Sequence, residues 1–234
     1  METIFDFEQG KKGKGVTCIA GIDEAGRGPL AGPVVAAVAA FRNQEFELRD
    51  QAEEKDWDLV RDSKKLSEKQ REKAFDFISE HFVVGIGIVS SETIDRMNIL
   101  EATFLAMKEA FSDFKRKARE TGLSTDKIFL LVDGNQEIPN LSVWQEAVVG
   151  GDANVRSIAA ASIIAKVTRD RMMCEYDAEY PAYGFAAHKG YGTKAHMDAL
   201  RRHGACPIHR MSFKPVFYSI PENVNRNLLS RKRK

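Results

Sequence analysis

Gly21-Ile22-Asp23-Glu24-Ala25-Gly26-Arg27-Gly28-Pro29 sets two adjacent carboxylates between an apolar run and a turn of small residues that carries one arginine. The run before it, residues 16–22, and the run after it, residues 32–41, are short, rich in valine, isoleucine and alanine, and bounded by glycine and proline. Both are predicted as strands. Side chains alternate along a regular strand, so Asp23 and Glu24 would point to opposite faces. For both to serve one site, the first strand is expected to end or bend at the acids, as the neighbouring glycines allow. Alone, such a pair is as readily a solvated turn. Gly26-Arg27-Gly28 adds backbone N–H groups and a guanidinium, which suit a phosphate or sugar held close to a cation.

Further along, Asp133 closes a predicted strand at 127–132 that is apolar from Ile128 on, and Asp152 follows another possible strand at 145–149. Acids repeated at strand ends point to one edge of one sheet. Two carboxylates 4 Å apart repel by roughly 4 kcal/mol at an effective dielectric near 20, so converging acids call for cations. Oxygen-only ligands favour Mg²⁺ or Mn²⁺ over zinc. The chemistry best served by Asp23, Glu24, Asp133 and Asp152 is phosphodiester hydrolysis at a pair of such ions. Asp170 competes with Asp152 for the fourth place. The two are eighteen residues apart, roughly 25 Å along a helix, so they cannot share a metal pair. Asp170 stands between arginines and is expected to form a structural ion pair.

The intervening segments alternate between helix and strand signals. Ser67 with Gln70 forms a capping box for a helix to about residue 80. Residues 81–90 read as a third strand, and Ser91 or Glu92 opens a short helix ending near Met97. Asn98 caps a helix whose Leu100, Phe104, Met107, Phe111 and Phe114 make one apolar stripe. An alanine-rich helix is predicted from Val155 to about Tyr176, and Thr193 caps another to about His203. The pattern predicts an α/β fold, a mixed sheet flanked by helices. Residues 1–15 are expected as a flexible lead-in, 16–184 as the catalytic domain, 185–220 as a helical and looped part closing the substrate groove, and 221–234 as a basic tail. Residues 43–58 are a polar excursion without a clean period.

The formal net charge of +1 hides an asymmetry. Residues 185–234 hold eleven lysines and arginines against two acids, Asp198 and Glu222, so the remainder is net acidic. A carboxylate-rich centre with a cationic flank fits a polyanion. The 29% charged and 43% hydrophobic residues are those of a globular chain. No apolar stretch is long enough to span a bilayer, and the first residues lack the core of a signal peptide. Cys18, Cys174 and Cys206 are too few for a disulfide framework. The expected location is the cytoplasm. Cys206-Pro207-Ile208-His209 has metal-like spacing but no second pair, which argues against zinc. Tyr191, between two glycines in a basic loop, can pack under that loop or present its ring to a sugar or base. Ser63 and Lys64 can hold a phosphate or simply be solvated.

At this point the chain resembles bacterial ribonuclease HII. The resemblance rests on residues 21–34, Asp62-Ser63-Lys64-Lys65-Leu66, residues 98–103, Val132-Asp133-Gly134 and residues 157–170. It extends through His188-Lys189-Gly190-Tyr191-Gly192-Thr193 and Cys206-Pro207-Ile208-His209-Arg210, in the family's order over about residues 18–216. It implies a ribonuclease H-like fold with a helical C-terminal extension. It also implies cleavage of RNA in RNA–DNA hybrids, and cutting 5′ of single ribonucleotides embedded in duplex DNA, leaving 5′-phosphate and 3′-hydroxyl ends. The family's metal carboxylates map onto Asp23, Glu24, Asp133 and Asp152. Its Gly-Arg-Gly element maps onto Gly26, Arg27 and Gly28, and its sugar-contacting tyrosine onto Tyr191. Lys64 falls in a further matching motif and is expected to bind substrate. No obligate protein partner is implied, and a monomer is expected.

Two departures stand out. Asp152 follows Gly150-Gly151 where lysine is expected before Gly-Asp, and residues 43–58 are longer than the family needs. The fifteen residues before the first strand are too few for the extra N-terminal domain of the related ribonuclease HIII. The alternatives are a Mg²⁺-dependent DNA nuclease or resolvase on the same fold, and a non-catalytic hybrid-binding module using only the basic part. Clustered acids speak against the second, since a binder of polyanions gains nothing from them.

Overall fold

The computed structural model describes residues 15–42 and 55–219. The expected lead-in up to residue 14, most of the polar excursion and the basic tail lie outside the described residues. The strands are β1 (Cys18–Ala25), β2 (Val34–Phe41), β3 (Phe82–Val89), β4 (Ile128–Asp133) and β5 (Trp144–Val148). They form one mixed sheet in the order β3-β2-β1-β4-β5. β1 runs antiparallel to β2 and parallel to β4, and β4 is parallel to β5. The helices are α1 (Glu68–His81), α2 (Ser91–Met97), α3 (Ile99–Thr121), α4 (Gly151–Asn154), α5 (Arg156–Glu179), α6 (Phe185–His188), α7 (Lys194–His203) and α8 (Lys214–Phe217). The mixed α/β class read from the sequence is the class observed. Among the described residues no helix is long and apolar enough to cross a membrane.

Helix starts follow their capping residues. Ser67 accepts from the Gln70 N–H while Gln70 returns a bond to the Ser67 N–H, the reciprocal pair that satisfies two otherwise orphaned donors. Asn98 Oδ1 accepts from the N–H groups of Leu100 and Glu101 at the start of α3, and Thr193 accepts from His196 at the start of α7. For α2 the cap is Ser90, one residue before the predicted start.

β1 ends at Ala25, directly after the two acids, as expected from the sequence. Its parallel ladder with β4 stops at Ile22↔Val132, while its antiparallel ladder with β2 runs on through Asp23↔Ala37, Glu24↔Ala36 and Ala25↔Val35. Asp23 is buried and Glu24 half-buried, and the two lie close enough for the charge of Glu24 to raise the Asp23 carboxyl.

The chain falls into two compact units, the first comprising residues up to Ala25, Val35–Ile88 and Phe104–Val167, and the second Gly26–Val34, Val89–Thr103 and residues from Thr168 onward. In the first, Ile19, Leu131, Val155 and Ile158 form one cluster of the core. Gly21 is required there. A Cβ on it would lie 2.2 Å from the Ile158 backbone nitrogen, so only glycine lets the first turn of α5 lie directly on β1. Asp23, two residues on, shares that helix-covered face. In the second unit, Met173, Tyr183, Phe185, Ala199, Cys206 and Ile208 form a separate cluster.

Candidate active site

The first unit assembles acids through strand register. β1 and β4 pair in parallel with Ile22 beside Val132, so the next residues, Asp23 and Asp133, fall side by side at adjoining strand ends. Asp23 Oδ1 accepts the Glu24 N–H at 2.7 Å, and its carboxyl is also hydrogen-bonded by the Ser162 side chain from α5. Ser162 in turn shares a 2.9 Å bond with Ser63. The Ser63 hydroxyl is therefore spent inside the protein and does not stand ready for a phosphate.

Asp133 is held by the start of α4, where its carboxyl accepts from the N–H groups of Gly151 and Asp152. The second of these bonds is 3.4 Å long. Asp152 is itself buried and meets the Lys64 ammonium at 2.9 Å, although the Lys64 side chain is 79% exposed. Burial raises the Asp23 carboxyl well above the ordinary carboxylate range, and the charges of Glu24 and Asp133 push it further. Burial also raises Asp133, with Asp152 adding to the effect. Asp152 helps to raise Lys64 above its usual value. Like charges share a small volume here, and an exposed lysine supplies a countercharge.

The donor set fits a hard divalent cation. Every acidic ligand candidate offers oxygen, and the mutual repulsion is of the kind a Mg²⁺ or Mn²⁺ ion would relieve. Among the described residues no three acids, imidazoles or thiols are grouped so as to hold a metal ion. Asp23, Glu24 and Asp133 lie at strand ends and Asp152 in α4, with Lys64 on Asp152.

The second unit builds the Gly-Arg-Gly loop on two buried arginines. Arg169 and Arg210 are 1% and 0% exposed, and both spend their donors on backbone carbonyls. Arg169 reaches Pro33 at 2.9 Å, Ala31 at 3.0 Å and Lys189 at 2.9 Å. Arg210 reaches Gly32 at 3.1 Å, Arg27 at 3.0 Å, Pro33 at 3.2 Å and Gly26. Burial lowers the two guanidiniums to about 10 and about 9 respectively, so both stay charged at neutral pH. Asp170 lies beside Arg169 and helps to hold that charge; Arg169 itself is turned to carbonyls.

Tyr191 is 47% exposed, and its backbone is fixed from below. Its carbonyl accepts from His196 Nδ1 at 2.9 Å. His196 Nε2 must then accept, so the 3.0 Å contact with His209 Nε2 has His209 as donor. The remaining His209 nitrogen, Nδ1, accepts the Cys206 N–H at 2.9 Å. Each imidazole is neutral with a defined tautomer. Burial pushes His209 down to about 4, and His196 down as well. Cys206 and His209 thus bond to each other, which accounts for their spacing without a metal.

Sequence reasoning picked out Gly26, Arg27, Gly28 and Tyr191 but missed Arg169, Arg210, His196, His209 and Ser162. Arg169 and Arg210 lay in the motifs that carried the resemblance. Nothing local distinguishes them, because their acceptors lie up to 184 residues away.

Residues 20–216 match the family ribonuclease HII.

The chain belongs to the ribonuclease HII family. The ribonuclease HII of Endomicrobium trichonymphae is 49% identical over 217 residues, 92% of this chain and 94% of that one. Among solved structures, the ribonuclease H2 from Pyrococcus horikoshii OT3 superposes with a TM-score of 0.61 at 27% identity, over 93% of this chain and 99% of that one. Bst-RNase HIII in complex with Mn²⁺ matches at TM-score 0.62 over 92% of this chain and 72% of that one; its 16% identity speaks for the ribonuclease H-like fold alone. As a ribonuclease HII, the chain is a hydrolase, an endoribonuclease acting on RNA–DNA hybrids, from a family that depends on divalent metal ions.

Proposed function

We propose that this ribonuclease HII also cuts 5′ of single ribonucleotides embedded in duplex DNA, and that Asp23, Glu24, Asp133 and Asp152 are its catalytic carboxylates. They would hold two divalent ions, Mg²⁺ or Mn²⁺, which when bound supply a water of lowered pKa and stabilise the leaving 3′-oxygen. Asp23 and Asp133 carry the most weight. They directly follow Ile22 and Val132, the last pair of the parallel ladder, and each is raised by burial and by neighbouring acids.

The chain's own groups have separate tasks. Ser162 and the Glu24 N–H orient Asp23, and the N–H groups opening α4 orient Asp133. Lys64 neutralises Asp152 and is long and exposed enough to pass to a phosphate oxygen of the substrate. The Gly26-Arg27-Gly28 backbone and the Tyr191 ring bind the sugar and sense its 2′-hydroxyl, the group that separates RNA from DNA. The products carry 5′-phosphate and 3′-hydroxyl ends. The chain works as a monomer with no obligate protein partner.

The test is a gel assay on three duplexes: a long RNA–DNA hybrid, a DNA duplex with one ribonucleotide, and the same duplex with none, in Mg²⁺ and in Mn²⁺. Cleavage of the first two and not the third is expected, and Asp133→Asn should abolish both cuts. Cleavage of the all-deoxy duplex would replace this reading with that of a DNA nuclease. Hybrid binding without any cleavage would leave only a binding module.

A further inference from the structure

Most carbonyls of loop 26–33 are taken up by two buried arginines. Arg210 takes the carbonyls of Gly26, Arg27, Gly32 and Pro33, and Arg169 takes those of Ala31 and Pro33. A trans peptide is planar, with its C=O and the following N–H pointing in opposite directions, and the described chain contains no cis peptide. A Gly26 carbonyl drawn toward Arg210 therefore sends the Arg27 N–H away from it. An Arg27 carbonyl drawn the same way sends the Gly28 N–H outward too. Arg27 and Gly28 are both exposed, and among the described residues the Gly28 N–H meets no acceptor.

The two glycines of the loop differ in what the fold asks of them. Gly26 has a positive φ of 99°, and a Cβ on it would lie 2.2 Å from Arg169 Nε. It must be glycine because it lies on the guanidinium. Gly28 has no positive φ, and the nearest atom to a Cβ there would be Tyr191 Cε1 at 3.7 Å, an ordinary contact. Glycine loses more backbone freedom on folding than alanine would, and among the described residues no neighbour requires it at position 28.

We infer that Arg210, with Arg169 beside it, is a positioning residue for ribose recognition: it takes up the loop's carbonyls so that the N–H groups of Arg27 and Gly28 are presented to an acceptor oxygen of the ribonucleotide. Arg210 never touches the nucleic acid. It acts through the peptide planes, and a peptide whose carbonyl already accepts from a guanidinium is polarised into a better donor. The guanidinium is needed for its forked shape, because one planar group reaches four carbonyls and a lysine ammonium has neither the reach nor the fork. The inference rests on the sugar-sensing role proposed above for Gly26, Arg27 and Gly28.

Two measurements on the full chain test it. The first compares wild type with Arg210→Lys: kcat/KM on a DNA duplex with one ribonucleotide, and the inhibition constant of the same duplex without it. The expected result is a loss of about tenfold in kcat/KM, the weight of a displaced hydrogen bond, with the inhibition constant within about twofold of wild type. A purely structural role would move both together or neither, and either outcome overturns the inference.

The second measurement needs no variant and stands even if Arg210→Lys does not fold. In glycine-labelled wild type with a divalent ion that does not support cleavage, the Gly28 amide resonance should shift with the ribonucleotide duplex and not with the all-deoxy one. An equal response to both would defeat the sugar-sensing role, and this inference with it. A selective response together with an unimpaired Arg210→Lys would defeat only the positioning role.

Discussion

Two regions of this molecule bury charges of one sign, and they handle the problem in opposite ways. Around β1 and β4, Asp23 and Asp133 sit side by side with a few N–H donors and a hydroxyl, and their carboxyls are driven upward by burial and mutual repulsion. Around loop 26–33, Arg169 and Arg210 are buried more completely, yet seven hydrogen bonds to backbone carbonyls receive them. Unpaired charge inside a protein is costly unless it is fully hydrogen-bonded. The arginine cage meets that condition by itself; the acid cluster falls short of it, and the cations proposed above would make up the difference.

The largest effect separating them should come from Asp23→Asn. On the ligand role proposed for it, its loss removes several kcal/mol of transition-state stabilisation, on the order of 10³-fold in rate, read as kcat on a hybrid. The same variant should be more stable than wild type in chelator at neutral pH. An acid whose pKa is raised by folding destabilises the fold once ionised; the penalty is full above the folded value and absent below the unfolded one. The gain in Tm should therefore shrink as the pH falls. A variant less stable than wild type at every pH would show that Asp23 is satisfied without a cation, and the contrast would collapse.

Next is acid sensitivity in the second region. His209 is held near 4 against an ordinary 6.5, so the unfolded chain takes up its proton first on acidification. Stability should fall between about pH 6.5 and about 4 by about 3 kcal/mol from this group and then level off. His209→Gln should flatten that part of a denaturation-versus-pH curve. An unchanged slope would mean that the imidazole pair is not neutral and buried as described.

Tyr191→Ala comes third. Losing an aromatic face is worth about 1–3 kcal/mol per base or sugar contact, so cleavage at single ribonucleotides should drop roughly tenfold or more while the metal dependence stays put. Equal rates would remove Tyr191 from substrate recognition. The smallest effect is expected for Lys64→Gln. Metal-free stability should fall by no more than about 1 kcal/mol, since the lysine is mostly exposed and its pairing is screened, and cleavage should become less sensitive to salt as one phosphate contact is lost. A salt dependence identical to wild type would confine Lys64 to its bond with Asp152.

What the sequence could and could not show divides along similar lines. Caps were legible because their signals are local: Ser67 with Gln70, Asn98 and Thr193 each act within three residues. The apolar run closing at Asp133 revealed β4, since a strand covered on both faces shows no alternation. The strand end beside Asp23 and Glu24 was legible too, but the pairing of those acids with Ala37 and Ala36 was not, because it joins residues from two separate strands. Arg169, Arg210, His196 and His209 were invisible for a related reason. Their roles are defined by carbonyls and imidazoles brought to them by the tertiary fold, and residue type alone announces charge without saying where it goes.

The parallel pairing of β1 with β4 has a consequence for assembly. Asp23 and Asp133 are set by the hydrogen-bond ladder of a central sheet and not by loops, so their spacing is fixed when those strands zip together. Slipping β1 by one position would carry Glu24 beneath α5 and turn Asp23 away, because side chains alternate with period two. Given the catalytic role proposed for these two acids, strand misalignment during folding would then yield an inert chain instead of a partly active one.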